Sequence, residues 1–578
     1  METRHGGWRE AWRLAKPYWS SEDKRWAWGL VFAVILLDLI AAVVNLFITF
    51  WSRDVFNAIA AVDWNEFQWQ VKKFAFLLGA FVVANVYQLY LQQMLELRWR
   101  RWLTRRYLGA WLAERAYYRL QITGGQTDNP DQRIADDLER YTRLSVELTI
   151  GTTGFLRSGV TLVFFTMLLW SVSGWVSIPL GNWGQIYIPG YLVWIGLLYA
   201  LVGTWLTFKI GRPLVGLNYD RQRFEADFRF SLVRLRENTE SVAFYGGEER
   251  EQAGFLSRFS SVVENFWAIM KRVKLLGWLT TSYDKLAQVV PLIVAAPRYF
   301  AKEIQIGDLV LINVSFGEIQ GALAYIVKNY AMIAEWQSVV QRLGGFDQRV
   351  RAIAAAARAP QQITLKRSGG GVEVTDLELD LPDGSALLRE VSFEVTPGEA
   401  LLIAGPSGTG KSTLLRAIAG IWPYGRGAIR LSEGSCLFLP QRPYLPLGTL
   451  RDAVLYPSEH AGLPEARLTA VLRDVGLPEL IAELDSVQYW SYRLSLGEQQ
   501  RLAFARVLLM RPTLVFLDEA TSALDEAGEA HLYRLLRTAP WHPTIVSVGH
   551  RATLRVFHDR VLDLGALCRR LPNLSVIG

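Results

Sequence analysis

The chain has 578 residues, 51% of them hydrophobic and only 20% charged, with 22 Trp and a formal net charge of +7. This is too apolar for an ordinary soluble enzyme and too charged for a chain lying wholly in a membrane, so a membrane part joined to an aqueous part is expected. The arginines cluster beside apolar segments, so the positive charge reads as a membrane-surface signal and not as one for nucleic acid. Two cysteines without near partners, Cys436 and Cys568, suggest neither a disulfide framework nor a zinc site.

In chain order, six stretches are apolar enough and long enough for a spanning helix of about 20 residues. They are Trp26–Trp51, Phe74–Leu91, Gly151–Trp170, Tyr191–Ile210, Leu275–Phe300 and Ile306–Ile326. The first is too long for a signal-peptide core and reads as a retained span. The last two carry Asp284, Lys285, Glu318 and Lys328. Such groups are expected to face a protein interior or a water-filled cavity, and Asp38, Arg157, Asp284 and Glu318 are candidates to line one or to pair with one another inside the bundle. Arg98–Arg119 holds seven arginines and Arg212–Lys274 is rich in Lys and Arg, whereas Ser173–Gly190 has neither. Both termini and the two long connections are therefore placed in the cytoplasm, with the spanning helices running on past the bilayer. An Ala-rich helix gives way to Gly and then to short strands near Pro360–Gly371. The expected division is a membrane domain over 1–350, a linker over 351–371 and a nucleotide-binding domain over 372–578.

The C-terminal part holds the chemistry. "EALLIAGPSGTGKSTLLRAIAGIW" reads as strand, Gly-rich loop and helix. Gly405, Pro406, Ser407, Gly408, Thr409, Gly410, Lys411, Ser412 and Thr413 form the loop that cradles phosphate on backbone N–H groups. Lys411 is placed to reach the β- and γ-phosphates of ATP, and the Ser412 hydroxyl to hold Mg²⁺. "LVFLDEA" is an apolar strand ending in two acids. Asp518 is expected near Mg²⁺, and Glu519 is expected to act as general base on the attacking water.

"LSLGEQQRLAFARVLLMRP", from Leu494, resembles the signature sequence of ABC transporters, with Leu496 and Glu498 where the family has Gly and Gln. The resemblance implies that Ser495, Gly497 and Glu498 open a helix that caps the γ-phosphate of an ATP held by a second subunit. It implies that Gln441 senses γ-phosphate and Mg²⁺, that "SALD", Ser522–Asp525, is the dimer-contact loop, and that His550 is the switch histidine. The usual aromatic that stacks adenine is missing from "LELDLPDGSALL". "NPDQRIADDLERY", "FEADFRFSLVRLRENTESVAFYGGEERE" and "FLPQRPYLPLGTLRDAVLYP" look like the subfamily D half-transporters. That group includes carriers of fatty acyl-CoA and cobalamin, and bacterial relatives of the SbmA/BacA peptide-uptake proteins with a fused ATPase. The implied fold is an all-α six-helix membrane domain of the type IV, exporter-like kind, followed by an α/β P-loop ABC ATPase domain. The implied partners are a second copy of the chain, the lipid bilayer, and a transported peptide or small molecule, with no nucleic acid. The implied setting is a bacterial inner membrane. Glu237, Glu240 and Glu248 fall in the stretch expected to couple the ATPase to the spans.

Overall fold

The computed structural model describes residues 7–123, 130–151, 154–179, 185–358, 362–458 and 463–565. Asn129, Pro360, Cys568 and the middle of the arginine-free loop lie outside them. The chain divides into two compact units, Met1–Ala110 with Asp128–Arg349, and Trp111–Thr127 with Val350–Gly578.

The main helices of the N-terminal half are α1 (Gly7–Trp19), α2 (Lys24–Ala60), α3 (Trp64–Leu112), α4 (Ala116–Ile122), α5 (Leu138–Ile150), α6 (Phe155–Ser173), α7 (Tyr191–Glu237), α8 (Glu248–Phe300), α9 (Ile306–Leu323) and α10 (Tyr330–Arg358). Five helical stretches among the described residues are long and apolar enough to cross a membrane: Lys24–Ala60, Trp64–Ile122, Pro130–Ser173, Tyr191–Glu237 and Ile306–Leu323. The expected fifth span is not one of these, because Asp284, Lys285 and Gln288 dilute its apolar run. It is nevertheless one part of a continuous helix, α8, of 53 residues. At 1.5 Å per residue that is about 80 Å, well beyond a hydrocarbon core of about 30 Å. α7 lies along α8. The Tyr199 and Tyr283 rings stack at 4.2 Å, and each hydroxyl donates to the other residue's backbone carbonyl, at 2.5 and 2.8 Å. Further along, Asn265 Nδ2 donates to Leu217 O at 3.0 Å.

Two of these four candidate charges answer each other inside the bundle. Asp38 on α2 is 3% exposed. Gln88 Nε2 on α3 donates to its Oδ1 at 3.2 Å. Arg157 on α6 lies 3.6 Å from the same oxygen and donates to Asn85 Oδ1 at 3.1 Å. Glu318 Oε1 on α9 accepts from Asn45 Nδ2 on α2 at 3.2 Å. Removing one member of a buried pair strands the other charge, at a cost of about 3–5 kcal/mol. Arg157→Leu is therefore expected to lower the unfolding midpoint of the purified protein in detergent, and the Asp38→Leu/Arg157→Leu double variant to recover most of the loss. A single variant as stable as the wild type would mean that the pair does not hold α2, α3 and α6 together.

In the second unit, β1 (Ile363–Arg367), β2 (Val372–Asp380), β3 (Ala386–Val395), β4 (Ala400–Ala404), β5 (Gly425–Leu431), β6 (Cys436–Leu439), β7 (Leu514–Asp518), β8 (Thr544–Val548) and β9 (Arg560–Asp563) build two sheets. One has the order β1-β5-β2-β3. The other is parallel throughout, in the order β9-β4-β8-β7-β6. Its central strands are covered on both faces, which is why "ALLIA", "LVFLD" and "TIVSV" are nearly continuous apolar runs. Leu401, Leu402 and Ile403 are at most 2% exposed, each worth about 1.5–3 kcal/mol of apolar burial. Residues 351–371, expected as a linker, hold the end of α10 and the whole of β1, which pairs in parallel with β5.

The second unit also takes in α4, from the first long connection between the apolar helices. Arg115 donates to Ala419 O at 2.9 Å, and Ile122 packs on the cluster containing Ile418 and Trp422. This stretch ends the arginine-rich run Arg98–Arg119 and was expected only to mark the cytoplasmic side. The stretch expected from sequence to couple, Phe224–Glu251, holds a short helix, Thr239–Tyr245, within the first unit. Its Phe244 and Tyr245 are exposed in this chain.

Candidate ATP site

The Gly-rich loop joins β4 to α11 (Lys411–Ile418). Gly408 and Gly410 have φ of 82° and 85°, a left-handed backbone that glycine adopts without a Cβ clash. A Cβ on Gly410 would also lie 3.1 Å from Leu387. The loop is thus curled tightly against the β2–β3 hairpin, and an aliphatic side chain stands beside it where the family resemblance leads one to seek a ring. Pro406, Ser407 and Gly408 are open to solvent, and Thr409 Oγ1 ties the turn to Pro406 O at 2.9 Å.

Lys411 is only 5% exposed. Its Nζ donates to Gly405 O at 2.9 Å and Pro406 O at 2.7 Å. Burial pushes its pKa down, and the charges of Glu519 and Asp518 oppose the shift. An incoming phosphate would replace two neutral carbonyls with an anion. The next residue, Ser412, donates its hydroxyl to Asp518 Oδ1 at 2.9 Å. Burial raises the pKa of Asp518, and the Ser412 hydrogen bond opposes the rise. Thr413 continues α11 one residue further.

Glu519 sits one residue past β7, with φ of 49°, and its N–H donates to Val548 O at 3.0 Å. A non-glycine residue held in this region costs on the order of 1–3 kcal/mol, and here the turn places the carboxylate between two loops. Gln441 Nε2 donates to its Oε2 at 3.0 Å. His550 Nε2 lies 3.1 Å from its Oε1. The structure therefore gathers Gln441 and His550 around Glu519, Gln441 by a hydrogen bond and His550 by close approach, and pairs Ser412 with Asp518 beside them. The Ser412 hydroxyl and the Asp518 carboxylate, paired at 2.9 Å, are hard oxygen donors of the kind Mg²⁺ takes. The open glycine turn at the head of α11 suits a phosphate chain.

The signature residues open α12 (Leu496–Met510). Glu498 folds back to close a capping box. Its Oε2 accepts from Ser495 N at 2.8 Å and from the Ser495 hydroxyl at 2.7 Å, and Glu498 N donates to Ser495 Oγ. The box, which the family's Gln can close as well, holds the start of this helix, an N-cap of this kind being worth roughly 0.5–2 kcal/mol, and the Glu498 carboxylate engages the serine hydroxyl. A Cβ on Gly497 would lie 3.3 Å from Ala523 O, so the helix start and the "SALD" loop are in close contact. Asp525, expected at a dimer contact, caps the next helix by accepting from Gly528 N at 3.0 Å.

Three residues that sequence reasoning passed over tie these loops together. Gln500 is fully buried. Its Nε2 donates to Gln441 O at 3.0 Å and Ser522 Oγ at 3.2 Å, and its Oε1 accepts from Ala523 N at 3.0 Å. Arg506, 8% exposed, donates to Tyr444 O and Ala453 O, both at 2.7 Å. Burial pulls its pKa down to about 10. Arg551 donates to Leu524 O at 2.7 Å and Ser522 O at 3.0 Å. For Gln500 and Arg506 the available signal was a polar side chain within the mostly apolar run of α12; Arg551, in the loop after β8, carried none.

Residues 14–300 match the family described as ABC transporter transmembrane region 2, and residues 388–522 match the family described as ABC transporter. The chain is 35% identical to ABC transporter D family member 2, chloroplastic, of Arabidopsis thaliana, over 96% of its own length and 86% of the relative's. It is 31% identical to the inner membrane ABC transporter ATP-binding protein YddA of Escherichia coli, over 96% and 97%. A solved bacterial Atm1-family ABC exporter with ATP bound shares the fold, with a TM-score of 0.73 over 94% of this chain and 97% of that one at 20% identity. Such an ATPase domain implies ATP binding and hydrolysis, and the apolar helices make this a membrane protein. The chain belongs to the ABC transporters, among their D-like half-transporters.

Proposed function

We propose that two copies of the chain form a transporter in a bacterial inner membrane, driven by ATP hydrolysis, that takes up polar cargo such as peptides or cobalamin-like molecules. The observation that supports an active motor is the grouping of Glu519 with Gln441 and His550 beside the phosphate cradle. Glu519 accepts the proton of the attacking water, oriented by Gln441 and His550. Ser412, Asp518 and Gln441 would hold Mg²⁺, which would supply positive charge against the β- and γ-phosphates. Ser495, Gly497 and Glu498 of one copy face the cradle of the other, so ATP favours the closed pair because it bridges the two copies only there.

The polar-cargo reading is tested by expressing the wild type and Glu519→Gln in bacteria lacking their own peptide importers. Wild-type cells alone should become sensitive to a hydrophilic antimicrobial peptide and to bleomycin. No difference from an empty vector would reject uptake of such cargo.

A second reading, movement of fatty acyl-CoA or lipid-like molecules, is favoured by a cavity of ≈ 430 Å³ in the first unit. It is lined by Arg140, Arg212, Arg221, Lys328 and Arg342 together with Glu335, Phe208 and Tyr219; Arg140 pairs with Glu335 and Arg342 with Asp137, and the remaining basic and aromatic groups suit an anion with an apolar body. Stimulation of ATP turnover by an acyl-CoA, and not by peptide, would establish this reading over the first.

A further inference from the structure

One buried charge of the second unit has no part in the chemistry described so far. The helix α13 (Glu526–Arg537) carries two acids in its first turn, Glu526 and Glu529. Glu526 is exposed, whereas Glu529 is 1% exposed. A carboxylate so enclosed needs donors and opposite charge to answer it. Thr521 Oγ1 donates to Glu529 Oε2 at 2.8 Å, and Thr553 Oγ1 donates to Oε1 at 2.8 Å. The Arg551 guanidinium lies 3.6 Å from Oε2, and the first turn of α13 adds the favourable end of its dipole.

These partners come from two different loops, and both loops carry catalytic groups. Thr521, 3% exposed, lies just past Glu519 in the loop after β7. That loop is tightly turned: Ser522 N donates to Glu519 O at 3.1 Å and Leu524 N to Thr521 O at 3.0 Å. Arg551 and Thr553 lie just past His550 in the loop after β8. Arg551 closes the circuit, because its guanidinium also donates to Leu524 O and Ser522 O. The paired register of β7 and β8 ends at Asp518 and Val548, and Glu519 N on Val548 O is the next backbone tie. Further out, Glu529 and Arg551 join the two loops through side chains. Each oxygen of Glu529 holds one loop, and the groups those loops carry, Glu519 and His550, stand 3.1 Å apart.

We propose that Glu529 is a positioning residue for ATP hydrolysis: its carboxylate braces the Glu519 loop against the His550 loop and so sets the separation of the general base and the histidine. It acts through Thr521, Thr553 and Arg551 and takes no proton from the attacking water. A misplacement of about 1 Å at a reacting group is enough to cost about 10²-fold in rate, so a brace at this point bears directly on turnover. The inference rests on the reading of Glu519 as general base.

The test is ATP turnover by the full chain in phosphatidylcholine nanodiscs, with rates expressed per bound nucleotide. Glu529→Gln keeps the shape of the side chain and removes its charge. Thr553→Val keeps the shape of the threonine and removes its donor. Each should lower kcat at least tenfold and leave the Michaelis constant for ATP within twofold, because the cradle is untouched. Thr553→Ser, which restores the hydroxyl, should return kcat to within threefold of the wild type. In the Glu519→Gln background there is no base left to place, so adding Glu529→Gln should lower the residual rate by less than twofold. Leu535→Ala, which trims a side chain of α13 packed on the apolar core, should lower the unfolding midpoint and leave kcat within twofold. Wild-type kcat in Glu529→Gln and Thr553→Val would overturn the proposal. So would an equal factor of loss with and without Glu519, or a Thr553→Ser variant as slow as Thr553→Val, since either marks a role in packing alone. Should Glu529→Gln not fold, the two Thr553 variants decide the matter by themselves. If Glu519→Gln is inactive while the Glu529 and Thr553 variants turn over normally, the brace is wrong and the general-base reading stands. If Glu519→Gln turns over as the wild type does, the general base is lost and the brace falls with it.

Discussion

Replacing Glu519 with Gln is expected to lower ATP turnover by about 10²-fold or more, the scale of a lost general base, while ATP affinity stays near that of the wild type. The carboxylate has no contact that a bound phosphate chain would need. Its two oxygens are engaged by Gln441 Nε2 and His550 Nε2, and its N–H is fixed to Val548 O. The amide of Gln keeps the shape of the group but loses one acceptor and the ability to take a proton. The closed pair should therefore persist with ATP, visible as a stable ATP-bound dimer of the two ATPase domains. Lys411→Ala should behave in the opposite way. Lys411 is buried against the cradle, and its charge is what a phosphate would exchange for the Gly405 and Pro406 carbonyls. Its loss should raise the dissociation constant for ATP, and turnover should fail for want of bound nucleotide. Near-wild-type turnover in Glu519→Gln would remove Glu519 from the general-base role.

Much of the ATPase half was legible because its chemistry is local in sequence. A parallel strand buried on both faces must be an apolar run, and a phosphate loop must carry glycine where φ is positive. "ALLIA", "LVFLD" and the turn through Gly410 therefore announced themselves. The membrane half was less legible where partners lie far apart in the chain. Asp38 and Arg157 are separated by 119 positions in sequence, and nothing at either site says that the two meet across α2 and α6. Leu275–Phe300 read as a span despite its charges. Its packing along α7, through the Tyr199–Tyr283 stack, joins residues 84 positions apart and is not written in either segment. The role of α4 was hidden for the same reason: Arg115 and Ile122 look like part of a basic cytoplasmic helix until Ala419 and Trp422 are brought against them. Glu498 is a different case. As a departure from the family pattern it could be noticed, but its effect, a carboxylate turned back onto Ser495, depends on helix-cap geometry.

Gln500→Glu should cut ATP turnover by about 10- to 100-fold, the range expected when catalytic loops shift by a fraction of an ångström to an ångström. The change is isosteric, so packing around the residue is kept. The Oε1 acceptor for Ala523 N–H survives. The donor does not: a carboxylate oxygen would face Gln441 O at 3.0 Å and Ser522 Oγ at 3.2 Å. Ser522 can turn its own proton toward that oxygen, but the Gln441 carbonyl cannot. Gln441 donates to Glu519, so the repulsion is delivered to the proposed general base through one backbone segment. The effect should fall on kcat more than on the Michaelis constant for ATP, because the cradle at Gly405–Ser412 is untouched. A pH profile separates this account from simple destabilisation. Burial raises the pKa of a carboxyl group, by several units at fully enclosed sites, and the protonated form regains an O–H donor toward Gln441 O. Turnover in the variant, relative to the wild type, should therefore rise as pH is lowered from about 8 to about 6. Gln500→Leu, which cannot regain a donor, should show no such recovery. A Gln500→Glu variant that loses activity equally at every pH would mean that Gln500 serves only to hold the domain together and does not position Gln441.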